Sequence, residues 1–123
     1  MSNGAEPLPL FVYGTLLDAA FTSALLEREV ASEPATLAGF EILRIQGSPV
    51  PAIFAADDET VVGRLYRGLT DADYDRLDRY EGVGEGLYRR EVGQVVARGA
   101  DTGSEPAHVY VVTEKSLRRL GAL

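Results

Sequence analysis

The sequence predicts an α+β domain built on a small, strongly curved and mainly antiparallel sheet with flanking helices. Three observations carry this. Short strand-like apolar runs outnumber helical stretches, in the order strand, helix, several strands, helix, two strands, and a doubly wound sheet would alternate instead. Glycines fall inside three of those runs, at 39, 63 and 93, where a sheet uses them to bend or bulge. The 123 residues, 46% apolar and 25% charged, suit one compact domain with its own core and no need of a disulfide or structural metal. The expectation is a single domain over 1–123 with its core at about 8–112.

Each element follows from its local pattern. Residues 1–7 are polar and form a loose leader. Leu8 to Tyr13 is an apolar run that fits a buried strand ended by Gly14. From about Asp18 to Glu29 the spacing is helical, with Ala20, Phe21, Ala24, Leu25 and Leu26 on one face. Strands follow at 36–45, 50–55 and 60–68. Gly47-Ser48-Pro49 marks a turn between the first two and Asp57-Asp58-Glu59 a turn before the third. In the third, Val62, Leu65 and Tyr66 are the apolar positions. Thr70 is a helix N-cap with Asp73 at the box position, and Gly82 is the stop. A glycine-rich loop at 82–86 leads to a strand over Leu87–Arg98, a turn at Ala100–Pro106, a last strand at 107–112 and a short helical tail.

Composition removes several classes of chemistry. With no cysteine, thiolate catalysis, disulfides and zinc–thiolate sites are excluded, and one histidine rules out a His-rich metal site. That residue, His108, lies in the last strand among alternating valines and reads as a half-exposed strand histidine, since a triad needs nucleophile, base and orienting acid together. Asp57-Asp58-Glu59 and the Asp71, Asp73, Asp75 spacing lack the glycine and distal glutamate of a calcium loop. The net charge of −7 argues against nucleic acid or an anionic membrane as partner. The start of the chain lacks a signal-peptide pattern, and no apolar run is long enough to cross a bilayer. The expected setting is the cytoplasm.

Two places carry chemistry. A strand running into Tyr13-Gly14-Thr15-Leu16 and then a helix gathers free backbone amides near one point. Such a turn can hold a carboxylate or phosphate, although strand–glycine–helix turns are also common without any ligand. Glu81 ends a helix ahead of the glycine-rich loop. There the helix dipole opposes its charge, and burial would add to that, raising its pKa toward the range useful for moving protons. Arg89 or Arg90 nearby would act the other way, and a solvated helix-end glutamate is the plain alternative. Arg44, Arg64 and Arg67 are either surface strand arginines or residues at a cavity mouth.

FVYGTL (11–16), VPAIF (50–54), VVGRLY (61–66), LDRYEG (77–82) and LYRREV (87–92), in this order, resemble the gamma-glutamylcyclotransferase-like, or AIG2-like, family over about residues 8 to 112. The resemblance implies a small distorted antiparallel β-barrel with flanking helices and an open cavity. It implies an enzyme in which the α-amine of a gamma-glutamyl amide attacks the side-chain carbonyl, releasing 5-oxoproline and a free amine or amino acid, without a cofactor. It assigns substrate binding to Tyr13, Gly14, Thr15 and Leu16 and to Tyr88, the tyrosine of the segment that follows, and catalysis to Glu81. The expected partner is a small gamma-glutamyl substrate, and the expected assembly a monomer or homodimer. Two positions depart from the family pattern: Val50 stands where many relatives carry an aromatic residue, and Leu17-Asp18-Ala19-Ala20 replaces a basic or polar stretch. Both bear on the outer half of the substrate. A non-catalytic module that binds a small carboxylate on the same fold is the alternative.

Overall fold

The computed structural model describes residues 7–44, 51–97 and 103–119. Five strands close into a barrel in the order β1-β3-β2-β4-β5. They are β1 (Leu10–Val12), β2 (Ser32–Arg44), β3 (Pro51–Tyr66), β4 (Tyr88–Ala97) and β5 (Glu105–Val112). Three helices flank them: α1 (Ala19–Leu26), α2 (Asp71–Glu81) and α3 (Glu114–Arg119). All neighbours are antiparallel except β1 and β5, which pair in parallel with Leu10 opposite His108. This is the predicted curved sheet, closed upon itself so that the pairing runs all the way round.

The acidic triplet Asp57-Asp58-Glu59 is not the predicted turn. β3 runs through it as one strand, paired with β2 from Ser32↔Tyr66 to Arg44↔Pro51. The pairing slips between Ala38↔Thr60 and Phe40↔Ala55, so residues 56–59 are set against Gly39 alone. Gly39 takes the left-handed conformation, φ 82°, that lets β2 bend at this irregularity. The carboxylates point to solvent, so the chain can carry them through a bulge without reversing. The predicted turn at 47–49 and Val50 lie outside the described residues, as do the loose leader up to residue 6 and the start of the 100–106 turn.

Alternation along the strands sorts the core. Phe11, Leu37, Ile53, Val61, Leu65, Val95, Val109 and Val111 fill the barrel interior. Val61, not Val62, is the inward residue: Val62 is 72% exposed, because period two places 61, 63 and 65 on one face. Gly63 is there for closeness. A Cβ on it would lie 2.2 Å from the Val12 carbonyl oxygen and 2.7 Å from the Phe11 ring. A second core lies between the barrel wall and the helices, with Leu10, Val12, Leu26, Tyr66, Leu77 and Tyr110 among its members.

Helix α2 forms as its sequence predicts. The Thr70 hydroxyl accepts from the Asp73 N–H at 3.1 Å, the Asp73 carboxylate accepts from the Thr70 N–H at 2.9 Å, and Gly82 ends the helix at φ 72°. Helix α1 is shorter than predicted and turned differently. It spans Ala19–Leu26, is capped by Asp18, and buries Thr22 and Leu26, while Phe21 stays 39% exposed. The reason is polar. The Thr22 hydroxyl and the Tyr66 hydroxyl both donate to the Leu16 carbonyl, at 3.0 and 2.7 Å, so the buried Thr22 hydroxyl has the partner that a buried polar group needs.

Candidate active site

Helix spacing delivers Glu81 to the site. Tyr74 and Leu77 are buried against the barrel, and Glu81 lies seven and four residues beyond them, on the same face. It therefore points to the barrel end where β1 finishes. There the chain passes through Tyr13 and Gly14 into a single 3-10 turn over Thr15–Leu17, closed by the Leu17 N–H on the Gly14 carbonyl at 2.9 Å. A Cβ at Gly14 would meet nothing within 4 Å, so the glycine opens onto free space.

That space is a cavity of about 330 Å³, at the lower end of the range of about 300–1,000 Å³ common for small-ligand sites. Five of the six predicted residues are on its wall: Tyr13, Gly14, Leu16, Glu81 and Tyr88. Thr15 lies between two of them in the 3-10 turn. The rest of the wall comes from Phe11, Val12, Leu87, Tyr80 and Tyr110. The last two were not predicted. Their signals were present: Tyr80 precedes Glu81 on α2, and Tyr110 alternates with the core valines 109 and 111 and so faces outward from the barrel interior.

Burial raises the Glu81 carboxyl from the ordinary 4.5 to about 7. Arg89 and Arg90 do not offset this, being engaged elsewhere. Arg89 pairs with Glu91, while Arg90 lies 3.5 Å from the Asp78 carboxylate and 4.6 Å above the Tyr74 ring. The phenols around Glu81 are held neutral. Burial pushes Tyr13 far up, with Tyr88 and Glu81 adding to it, and burial followed by Glu81 and Tyr80 raises Tyr88. Tyr110 is raised by burial and then by its bond to Asp78. The Tyr13 hydroxyl donates to the Tyr110 carbonyl at 2.6 Å, and the Tyr110 hydroxyl donates to Asp78 at 2.6 Å. These bonds brace the wall and leave Glu81 as its titrating group near neutral pH.

The three arginines are not on the described wall. Arg67 bonds Glu33 at 2.6 Å and Glu105 at 2.9 and 2.6 Å, Arg64 bonds Ser32 at 2.6 and 3.0 Å, and Arg44 is exposed. His108 is half-buried, edge-on to Tyr74 at 5.0 Å, and is likewise absent from the described wall. Among the described residues no group of three or more His, Asp or Glu side chains is placed to hold a metal. No helix among them is long and apolar enough to cross a membrane.

A closed five-stranded barrel with an end cavity, a glycine turn and one neutral-range carboxyl on its wall defines the class of domain. Residues 10–122 match the family described as gamma-glutamyl cyclotransferase, AIG2-like, and the chain belongs to that family. AIG2-like protein D of Arabidopsis thaliana is 33% identical over 115 residues, covering 94% of this chain and 74% of that protein. Protein AIG2 C of the same plant is 34% identical over 81 residues, covering 66% of this chain. The chain spans only 49% of that second relative. A solution structure of an Arabidopsis thaliana protein superposes with a TM-score of 0.79 at 28% identity, covering 98% of this chain and 71% of that one. A structure named gamma-glutamyl cyclotransferase superposes at 0.71 with 19% identity, covering 86% and 66%. At that identity the likeness is one of fold.

Proposed function

We propose that this protein is a gamma-glutamylcyclotransferase-type enzyme, releasing 5-oxoproline and a free amine from a gamma-glutamyl amide, with Glu81 as general acid and base. One observation carries the reading: a lone carboxyl on the described wall, pushed up to about 7 by burial, in a mainly apolar cavity beside the Gly14 turn that ends β1. Proton transfer is most efficient when the group's pKa lies near the working pH.

The chemistry needs no enzymic nucleophile and no cofactor. The substrate's α-ammonium first loses a proton to water. Its neutral nitrogen then attacks the side-chain carbonyl carbon, forming the ring C–N bond, and Glu81 takes the proton this nitrogen must shed. Amides of the Tyr13–Leu16 turn hold the substrate carboxylate or the developing oxyanion. As the intermediate collapses, the original C–N bond breaks and Glu81 returns its proton to the leaving nitrogen. The amine departs, 5-oxoproline remains, and Glu81 is again a carboxylate. Closing a ring within one bound molecule supplies much of the rate, because the reacting atoms are already held together.

A module that only binds a small carboxylate fits less well. A pure binder has no use for a carboxyl titrating there. The test is 5-oxoproline release, followed by mass spectrometry, from a panel of gamma-glutamyl amines, dipeptides and glutathione. Glu81→Gln should abolish release while the circular dichroism spectrum stays native. Full activity in that variant would end the proposal, and thermal stabilisation by the panel without product would favour the binding module.

A further inference from the structure

Next to Glu81 the cavity wall carries Tyr80, and Phe21 of α1 packs on the Tyr80 ring just outside that wall. Tyr80 lies on the cavity wall and is still 43% exposed. Its ring meets that of Phe21 edge-on, with centroids 5.6 Å apart and planes at 61°. Phe21 is 39% exposed, as is Leu17, which directly follows the wall residue Leu16. Thr22 and Leu26 are the buried residues of α1 and leave Phe21 facing outward beside Tyr80. A small cluster of exposed apolar side chains around a concave site marks a contact surface. Among the described residues on the wall none is Lys or Arg, so a carboxylate on the outer half of a ligand would find Glu81 but no cation.

We propose that Phe21 and Tyr80 form the specificity rim for the amine half of the substrate, taking an uncharged aromatic group and disfavouring one that carries a carboxylate. This rests on the cyclotransferase reading. The deep part of the site holds the glutamyl half, common to every such substrate, and discrimination falls to what protrudes past Tyr80. Aromatic rings stack there face to edge or offset.

Three probes test this on the intact protein: a gamma-glutamyl anilide, the gamma-glutamyl methylamide and gamma-glutamylglycine. The wild-type kcat/KM should rank the anilide first and the glycine dipeptide last. In Phe21→Ala the anilide-to-methylamide ratio should fall about tenfold, the scale of one aromatic contact. Phe21→Tyr should keep the ratio, and both variants should melt cooperatively. An unchanged ratio in Phe21→Ala, or a wild-type preference for the dipeptide, overturns the rim. If the wild type releases no 5-oxoproline from any probe, the cyclotransferase reading fails by itself. Calorimetric titration with anilide and methylamide then decides the rim separately, equal affinities overturning it.

Discussion

Glu81→Gln should make the protein more stable at neutral and alkaline pH, at the same time as it removes the proposed activity. The carboxyl titrates at about 7 in the folded chain against 4.5 when freely solvated, with burial as the cause. Below about 4.5 it is protonated in both states and costs nothing. Between about 4.5 and 7 the unfolded chain has released the proton and the folded chain still holds it, so stability falls as the pH rises through that window. At about 1.4 kcal/mol per pH unit, the loss reaches about 1 kcal/mol near pH 5 and about 3 kcal/mol near pH 8. The cavity is open, which lets solvent offset part of this, so the measured gain at pH 8 should be about 2 kcal/mol. Glutamine keeps the shape of the neutral acid and cannot ionise. Urea unfolding of both proteins at about pH 5 and pH 8 measures the difference. A gain that is the same at both pH values, or a loss at pH 8, would refute the claim that Glu81 is buried at a charge penalty.

Other outcomes follow from the same geometry. The kcat/KM for 5-oxoproline release should rise as the pH passes through about 7, where Glu81 becomes a base, and a pH–rate profile flat from 6 to 8 would contradict its role. Gly63→Ala should cost about 2–3 kcal/mol in urea unfolding, because the added Cβ would sit 2.2 Å from the Val12 carbonyl oxygen; an unchanged midpoint would show that β1 and β3 can separate freely. Asp73 is 4% exposed, bonded by Arg28 Nε at 3.3 and 3.2 Å and by its Nη2, and it caps α2. Asp73→Ala should cost about 2–3 kcal/mol at pH 7. The Arg28 hydrogen bond holds the Asp73 carboxyl below its ordinary 3.8, so this contribution is present above that value and lost as the pH falls beneath it. The gap between the two proteins should close in strong acid, and a gap that persists there would assign the loss to packing.

Local rules made much of the fold legible. Thr70, Asp73 and Gly82 fix α2 by capping chemistry that involves only neighbours in the chain, and it appears at the predicted residues. The alternation in β4 also reads directly, because from Gly93 onward one face of the strand is core and the other is not. The failures occur where contacts outside the element itself decide. Asp57-Asp58-Glu59 looks like a turn because charge and turns correlate, yet pairing with β2 carries the chain through. Phe21 looks like core because it is apolar, yet the Leu16 carbonyl draws Thr22 inward and rotates α1.

The same division runs through the site. The sequence by itself pointed to residues that line the cavity: a glycine turn after the first strand, a glutamate at the end of a capped helix, a tyrosine after the next loop, and no cysteine or second histidine to compete with them. These are matters of residue type and order. The tertiary structure decided what Glu81 is. A glutamate at a helix end is a solvated charge until a barrel wall and four tyrosines close around it, and only that enclosure brings its pKa to about 7. It also placed Tyr80, Tyr110 and Phe21, whose positions depend on how α1 and α2 pack against β1 and β5. Desolvation is a property of the surroundings, and the surroundings of Glu81 are assembled from segments up to a hundred residues apart.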